Sequence, residues 1–418
     1  MTETCSQIFL ALVVAVTVMR LWLTQRQIRH VGKHRHAVPA RFANRISLDD
    51  HQKAADYTLA KSRLAQIHTL IEAALLLAFT LGGLLDACAH LLQQYLPDGS
   101  YLYGLGLFAS FGFIGFVVDL PFSLYRTFSV DERFGFNKMT PRLYLTDIAK
   151  QTMLAILIGA PLLGVVLWLM AQMAERWWLW VWLFWLGFNL LVMVAYPTVI
   201  APMFNKFTPL ADDTLRTRID ALLARCGFRS SGVFVMDGSK RSTQGNAYFT
   251  GFGAAKRIVF FDTLLERLQP SEIEAVLAHE LGHFKRRHIW KSITLMAVLS
   301  LGFLWLLGVL MLAPQFYAAL GVSAPGTAMS LILFSLVLPV VLFPLSPLLS
   351  AFSRKHEFEA DAFAAEQTEA SELVMALVKL YRDNASTLTP DALHSLFHDS
   401  HPPASIRIAR LDALGKTA

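Results

Sequence analysis

Seven long apolar runs separated by polar segments set the fold class of this chain. They lie near Gln7–Thr24, Ala65–Cys88, Tyr101–Pro121, Ile148–Met170, Trp177–Ile200, Ile289–Ala313 and Thr327–Phe352. Each has about the length an α-helix needs to cross a bilayer. The first has no basic stretch before it and no small-x-small cleavage site after it, so it reads as a retained helix rather than a leader. Between the fifth and sixth runs the period changes. Thr214–Cys226 reads as an amphipathic helix, and Gly232–Asp237, Asn246–Phe249 and Arg257–Asp262 read as short strands. A short helix follows, then a longer one opened by Pro270-Ser271, with Ser271 and Glu274 spaced as a capping box. Residues 353–418 return to a helical, soluble pattern. The prediction is a mainly α, polytopic membrane protein with a small split α+β catalytic domain. Residues 1–200 hold five spans, 201–288 a first catalytic segment, 289–352 two more spans, and 353–418 a second catalytic segment.

Composition agrees: 55% hydrophobic residues, 16% charged and a mean hydropathy of +0.46 exclude an ordinary soluble globule. The net charge of +6 is mostly a topology signal. Segment 25–64 carries nine basic residues against three acidic ones, whereas 89–100 and 314–325 have no Lys or Arg. The positive-inside rule then predicts cytoplasmic placement for the first and third loops, for 201–288 and for the C-terminus. Basic residues spread through membrane-flanking loops argue against a nucleic-acid partner. His30, His34 and His36 sit in such a run and read as a lipid-headgroup-facing segment. Trp177, Trp178, Trp180, Trp182 and Trp185 form an interfacial belt at the start of the fifth span. Cys226 reads as a reduced buried thiol. Cys5 and Cys88 fall at the same outer face, where unpaired packing residues are expected over a disulfide.

The chemistry lies in His279-Glu280-Leu281-Gly282-His283. Imidazoles four residues apart project from one helix face and can grip one zinc ion, and a carboxylate beside the first can take a proton from an attacking water. The bland alternative is a surface helix with two solvated histidines. A zinc hydrolase needs a third protein ligand. The candidates are in Ser353–Asp361: Glu357 and Asp361 share a face, so one can bind metal while the other orients a ligand imidazole, and His356 and Glu359 compete. A rival site is His394, His398 and His401, which lacks a carboxylate equivalent to Glu280. Inside the second run, His68 and Glu72 are one turn apart and must face water or a partner, which a wet chamber would supply. Asp119 and Pro121 read as a membrane exit.

Several segments together resemble the CAAX prenyl proteases, membrane-embedded zinc metallopeptidases that cleave prenylated peptides. They are Asp131–Lys138 (D-E-R-F-G-F-N-K), Pro202–Phe207, Asp237–Ser242, Asn246–Phe249, His279–His283, Ser353–Asp361 and His401-Pro402-Pro403. The resemblance implies zinc held by His279, His283 and Glu357, with Glu280 as general base. It places Asn246, followed by Ala247, Tyr248 and Phe249, on an edge strand that receives substrate, and His401 and Arg407 against the reacting peptide. Asp361 would then be the orienting carboxylate. The implied fold is seven membrane helices around a water-filled chamber, with a zincin-like site at its cytoplasmic end. Gln244-Gly245 departs from the His-Ser usual in eukaryotic members, which bears on substrate preference. A quality-control protease with unlipidated substrates is the alternative within the class. A transporter would show paired interrupted half-helices or a repeat, and none is visible. The intact Glu280 argues against an inert scaffold. Bacterial inner membrane and endoplasmic reticulum both fit, and the expected partners are a peptide or protein, possibly prenylated, and the bilayer.

Overall fold

The computed structural model describes residues 2–250, 256–323 and 325–415. Among these, seven helices are long and apolar enough to span a bilayer: Glu3–His34, Leu48–Phe79, Tyr101–Asp131, Pro141–Gln172, Ala174–Phe204, His288–Leu310 and Thr327–Gln367. Their outer faces expose large apolar side chains such as Leu191, Val298 and Leu348, a surface that only lipid can cover. All but the sixth span are longer than the apolar runs, because polar helical turns extend them.

Several boundaries differ from expectation; the third span keeps Asp119 and Pro121 inside its helix, which runs to Asp131, rather than ending at them. The second span is Leu48–Phe79, not Ala65–Cys88. It starts at Ser47, whose hydroxyl accepts the Asp50 amide proton at 3.1 Å, the N-cap arrangement that satisfies a helix's free amides. It ends before Gly83, whose φ of +71° suits only glycine at low cost, and the apolar sequence continues as a separate helix, Leu84–Gln93. The seventh helix does not stop at Phe352. Past Pro339 and one tight turn at Phe343–Leu345, it runs on as Ser346–Gln367, carrying the third candidate ligand into the soluble domain.

Arg20, His68, Glu72 and Asp119 meet between the first three spans. Arg20 donates to Glu72 at 2.9 Å, and His68 lies 3.3 Å from Glu72 and 2.9 Å from Asp119. All keep part of their surface free. Ionisable groups on spanning helices are costly to leave facing lipid, and these four answer one another instead. Cys5, Cys88 and Cys226 are all free thiols.

The soluble domain is built on a four-stranded sheet of order β1-β2-β4-β3. β1 (Phe207–Pro209), which the sequence pattern did not reveal, is antiparallel to β2 (Val233–Met236), and β2 is parallel to β4 (Arg257–Phe261). β3 (Ala247–Thr250) runs antiparallel to β4 and forms the edge. Asn246 lies just outside that strand. Helices Asp213–Arg225, Pro270–Lys285, Ala370–Asp383 and Ala404–Gly415 cover the sheet around Ile219, Ile258, Phe260, Leu277 and Ile408, all nearly inaccessible. Phe42, from the loop after the first span, enters the same core. The F-G-F-N-K loop is tied to the β2–β3 connection: the Lys138 amide donates to Arg241 O at 3.0 Å and the Thr243 amide to Phe136 O at 3.2 Å.

The helix bearing the histidines is capped by Gln269 and Glu272, not by Ser271 and Glu274. Pro270 takes the first helical position, which puts Ser271 inside the helix, where its hydroxyl donates to Glu372 at 2.7 Å, and leaves Glu274 to Arg218 and Arg225. This helix packs closely against Ser346–Gln367. A Cβ added at Gly282 would stand 2.9 Å from the Ala360 Cα and 3.1 Å from its carbonyl oxygen. Backbone cannot rotate away, so Gly282→Val is expected to cost about 1–3 kcal/mol and to pull the two helices apart. Thermal unfolding in detergent would show the loss, and an unchanged midpoint would contradict this packing.

Candidate active site

The close packing brings the chemistry together. His279 and His283 face the same way from one helix, and Glu357 approaches from the other. Their ligand atoms all lie within 4.8 Å of one another, and they form the single such group of three metal-ligating side chains among the described residues. The His279 Nε2 to His283 Nε2 distance is 3.3 Å. Glu357 Oε2 is 3.5 Å from His279 Nε2, and Oε1 is 3.4 Å from His283 Nε2. Ligands bound about 2.0–2.1 Å from a tetrahedral zinc stand about 3.3–3.4 Å from each other. The triangle therefore has the size such an ion requires. Glu357 Oε2 is also buried without a hydrogen-bond partner, an expensive state for a carboxylate oxygen that nothing binds.

Around the triangle the charges are ordered. Asp361 Oδ1 lies 2.9 Å from His279 Nδ1, the far side of that ligand ring. Arg407 donates to Asp361 from Nη2 at 2.6 Å and from Nε at 2.9 Å, and its Nη1 lies 3.6 Å from Glu357 Oε2. It is buried rather than solvated, and two of its three nitrogens are committed to Asp361. Burial alone would lower the His279 imidazole, but the adjoining carboxylates of Asp361 and Glu357 outweigh it and bring it up to about 9. Burial and the neighbouring His279 charge push His283 down to about 4. The cradle thus favours one positive charge at its centre and opposes a second. Burial raises the Glu280 carboxyl above the ordinary carboxylate range, as suits a group that exchanges protons.

Two cavities of about 420 and 500 Å³ meet at His279, Glu280, Glu357 and His401. The first runs past Gln244, Asn246 and Ala247, at the start of the β3 edge. The second is lined by Phe249 and by Met193, Ile293 and Ser353, which belong to the fifth, sixth and seventh spanning helices. Together they form a trough along β3, open at one end towards the membrane helices. Tyr248 points to the other face of the sheet, its hydroxyl 3.9 Å from the Met236 sulfur. His401 is largely exposed, with Nε2 3.4 Å from Glu357 Oε1.

The other candidate ligands lie outside the triangle. His356 stacks on His288 at 4.0 Å, and Glu359 pairs with His288. The His394 and His398 rings stack at 4.2 Å, and His398 Nδ1 is 3.1 Å from the His394 carbonyl. With His401 turned into the main trough, no second metal site forms there. Sequence reasoning missed His288, which follows His283 by five residues, and Asn384. The latter holds the extended segment leading into β3 through two hydrogen bonds to Gly245, at 3.1 and 3.2 Å, and no local pattern marks it.

Residues 27–206 match the family model described as CAAX prenyl protease N-terminal, five membrane helices, and residues 209–414 match that of peptidase family M48. The chain is 34% identical to the CAAX prenyl protease 1 homolog of Arabidopsis thaliana over 91% of both chains. It is 34% identical to CAAX prenyl protease 1 of Saccharomyces cerevisiae, covering 94% of this chain and 91% of that one. For the Homo sapiens homolog the figures are 31%, 98% and 96%. The crystal structure of S. mikatae Ste24p aligns with a TM-score of 0.91 at 31% identity, covering 98% of this chain and 99% of that one. Fold, motif and likeness along the whole chain agree: this multi-pass membrane protein belongs to the CAAX prenyl proteases of peptidase family M48.

Proposed function

We propose that the chain is a zinc endopeptidase that cleaves near the C-terminus of prenylated C-a-a-X-type or similar membrane-attached peptides, on the cytoplasmic side of the membrane. The donor triangle with Glu280 beside it carries the reading. In this account residues 1–200 and 289–352 form the membrane wall, and 201–288 and 353–418 supply the two halves of the catalytic domain. The excess of basic residues in 25–64 supports the cytoplasmic orientation.

Zinc held by His279, His283 and Glu357 would supply Lewis acidity, polarising a peptide carbonyl and acidifying an attacking water. The chain's own groups do the rest. An extended peptide adds to the free edge of β3 from Asn246 to Phe249, main chain to main chain, so that backbone shape matters more than side-chain identity. Tyr248, facing away, supports the strand rather than the substrate. Glu280 accepts the water's proton and returns it to the leaving amine. His401, exposed at the trough, donates to the developing oxyanion. Arg407 fixes Asp361, which fixes His279, and its remaining nitrogen adds positive charge beside Glu357. The end of the trough lined by Met193, Ile293 and Ser353 suits a substrate delivered with its apolar attachment still in the bilayer.

Glu280→Gln is expected to reduce kcat about 10²–10⁴-fold while the protein keeps one zinc per chain, read by elemental analysis of detergent-purified material. Glu357→Ala should abolish stoichiometric zinc, whereas His394→Ala/His398→Ala should leave it at one. A farnesylated C-a-a-X peptide should be cleaved with a higher kcat/KM than its unlipidated twin. Equal rates on the two peptides would favour a quality-control protease, and wild-type protein without zinc would overturn the metallopeptidase reading itself.

A further inference from the structure

The two ligand imidazoles are supported differently. His279 rests directly on Asp361, but behind His283 stands another histidine. His283 Nδ1 is 3.1 Å from His288 Nδ1, and His288 Nε2 is 2.9 Å from Glu359 Oε2. We infer that His288 and Glu359 form a positioning relay that fixes the His283 tautomer, leaving Nε2 bare towards the metal. This rests on the zinc reading given above.

Counting protons gives the relay one direction. A carboxylate only accepts, so His288 carries its proton on Nε2 and donates it to Glu359. Neutral His288 then presents a bare Nδ1, which can only accept. The proton between the two rings must therefore sit on His283 Nδ1. That leaves the His283 Nε2 lone pair free, 3.3 Å from His279 Nε2 and 3.4 Å from Glu357 Oε1. Lys291 at 3.5 Å and Lys355 at 3.9 Å give Glu359 countercharge.

The relay is held on every side. Arg287, with φ of +57°, breaks the chain between the motif helix and the sixth span. The conformation is unusual for a residue with a Cβ, and it turns buried His288 back under His283. The His288 ring lies nearly parallel to His356, at 10°, and His356 meets Phe352 edge-on at 4.3 Å. Both ligand rings thus end on carboxylates of the same long helix, His279 at Asp361 and His283, through His288, at Glu359. Partners of this kind orient metal-bound histidines and raise their basicity.

The test compares two substitutions in the full-length protein, with zinc affinity read by competition against a chromophoric chelator. His288→Phe keeps an aromatic ring against His356 but offers no acceptor. His288→Asn loses the ring but places an amide oxygen where Nδ1 stands. His288→Phe should weaken zinc binding about 10–100-fold, while His288→Asn stays within a few-fold of wild type and recovers kcat. Glu359→Leu should weaken zinc in the same direction and serves if His288→Phe does not fold. Wild-type affinity in His288→Phe, or in Glu359→Leu if that is the variant that folds, overturns the relay. Equal weakening in Phe and Asn also overturns it, since packing alone would then explain the effect. Absence of zinc from the wild type is a separate result, and it strikes the metallopeptidase reading first.

Discussion

Everything at the site depends on the near-contact of two helix backbones at Gly282 and Ala360. One helix ends a soluble segment and the other emerges from the membrane, and 74 residues separate His283 from Glu357 in the sequence. Only a residue without a Cβ permits the approach. With it, a carboxylate from one helix completes a triangle whose other corners are imidazoles on its neighbour. A larger side chain at that position would leave the pair of histidines intact and the triangle open. The glycine inside the H-E-x-x-H pentad is therefore a structural part of the donor triangle, although it contributes no donor atom.

Charge is the second constraint. Glu357 and Asp361 are buried together, and such groups are tolerated only when paired and hydrogen-bonded. Arg407, from the last helix, answers part of that negative charge with a two-pronged contact to Asp361. The orphaned Glu357 oxygen marks where the remaining positive charge belongs. Closure of the domain by its C-terminal helix and assembly of the site are thus one event, because the residue that anchors this helix is also the counter-ion of the cradle.

The spans were legible in the sequence because twenty apolar residues in a row have few other uses, and their number came out correctly. Their ends were not. Hydropathy cannot register a cap such as Ser47, nor a break at Gly83 inside an apolar stretch, and so the second span was placed 17 residues too late at its start and nine at its end. At the site, i,i+4 spacing gave His279, His283 and Glu280 directly. The third ligand was left open among Glu357, His356 and Glu359 by spacing, and family resemblance favoured Glu357. What sets the others apart in space is tertiary: His356 and Glu359 are engaged by His288, across a left-handed turn at Arg287 that no periodicity announces. Asn384 and β1 escaped for the same reason, since their partners are remote in the chain.

The seventh helix gives the donor triangle a mechanical link to its surroundings. Glu357 rides on the same rod that crosses the bilayer, about 18 Å beyond the tight turn at Phe343–Leu345. A rotation of about 5° about that turn would sweep the carboxylate through about 1.6 Å at this radius, against a tolerance of about 0.2 Å in metal–ligand distances. Bilayer thickness, to which spanning helices accommodate in part by tilting, is in this architecture coupled to the spacing of the donor triangle.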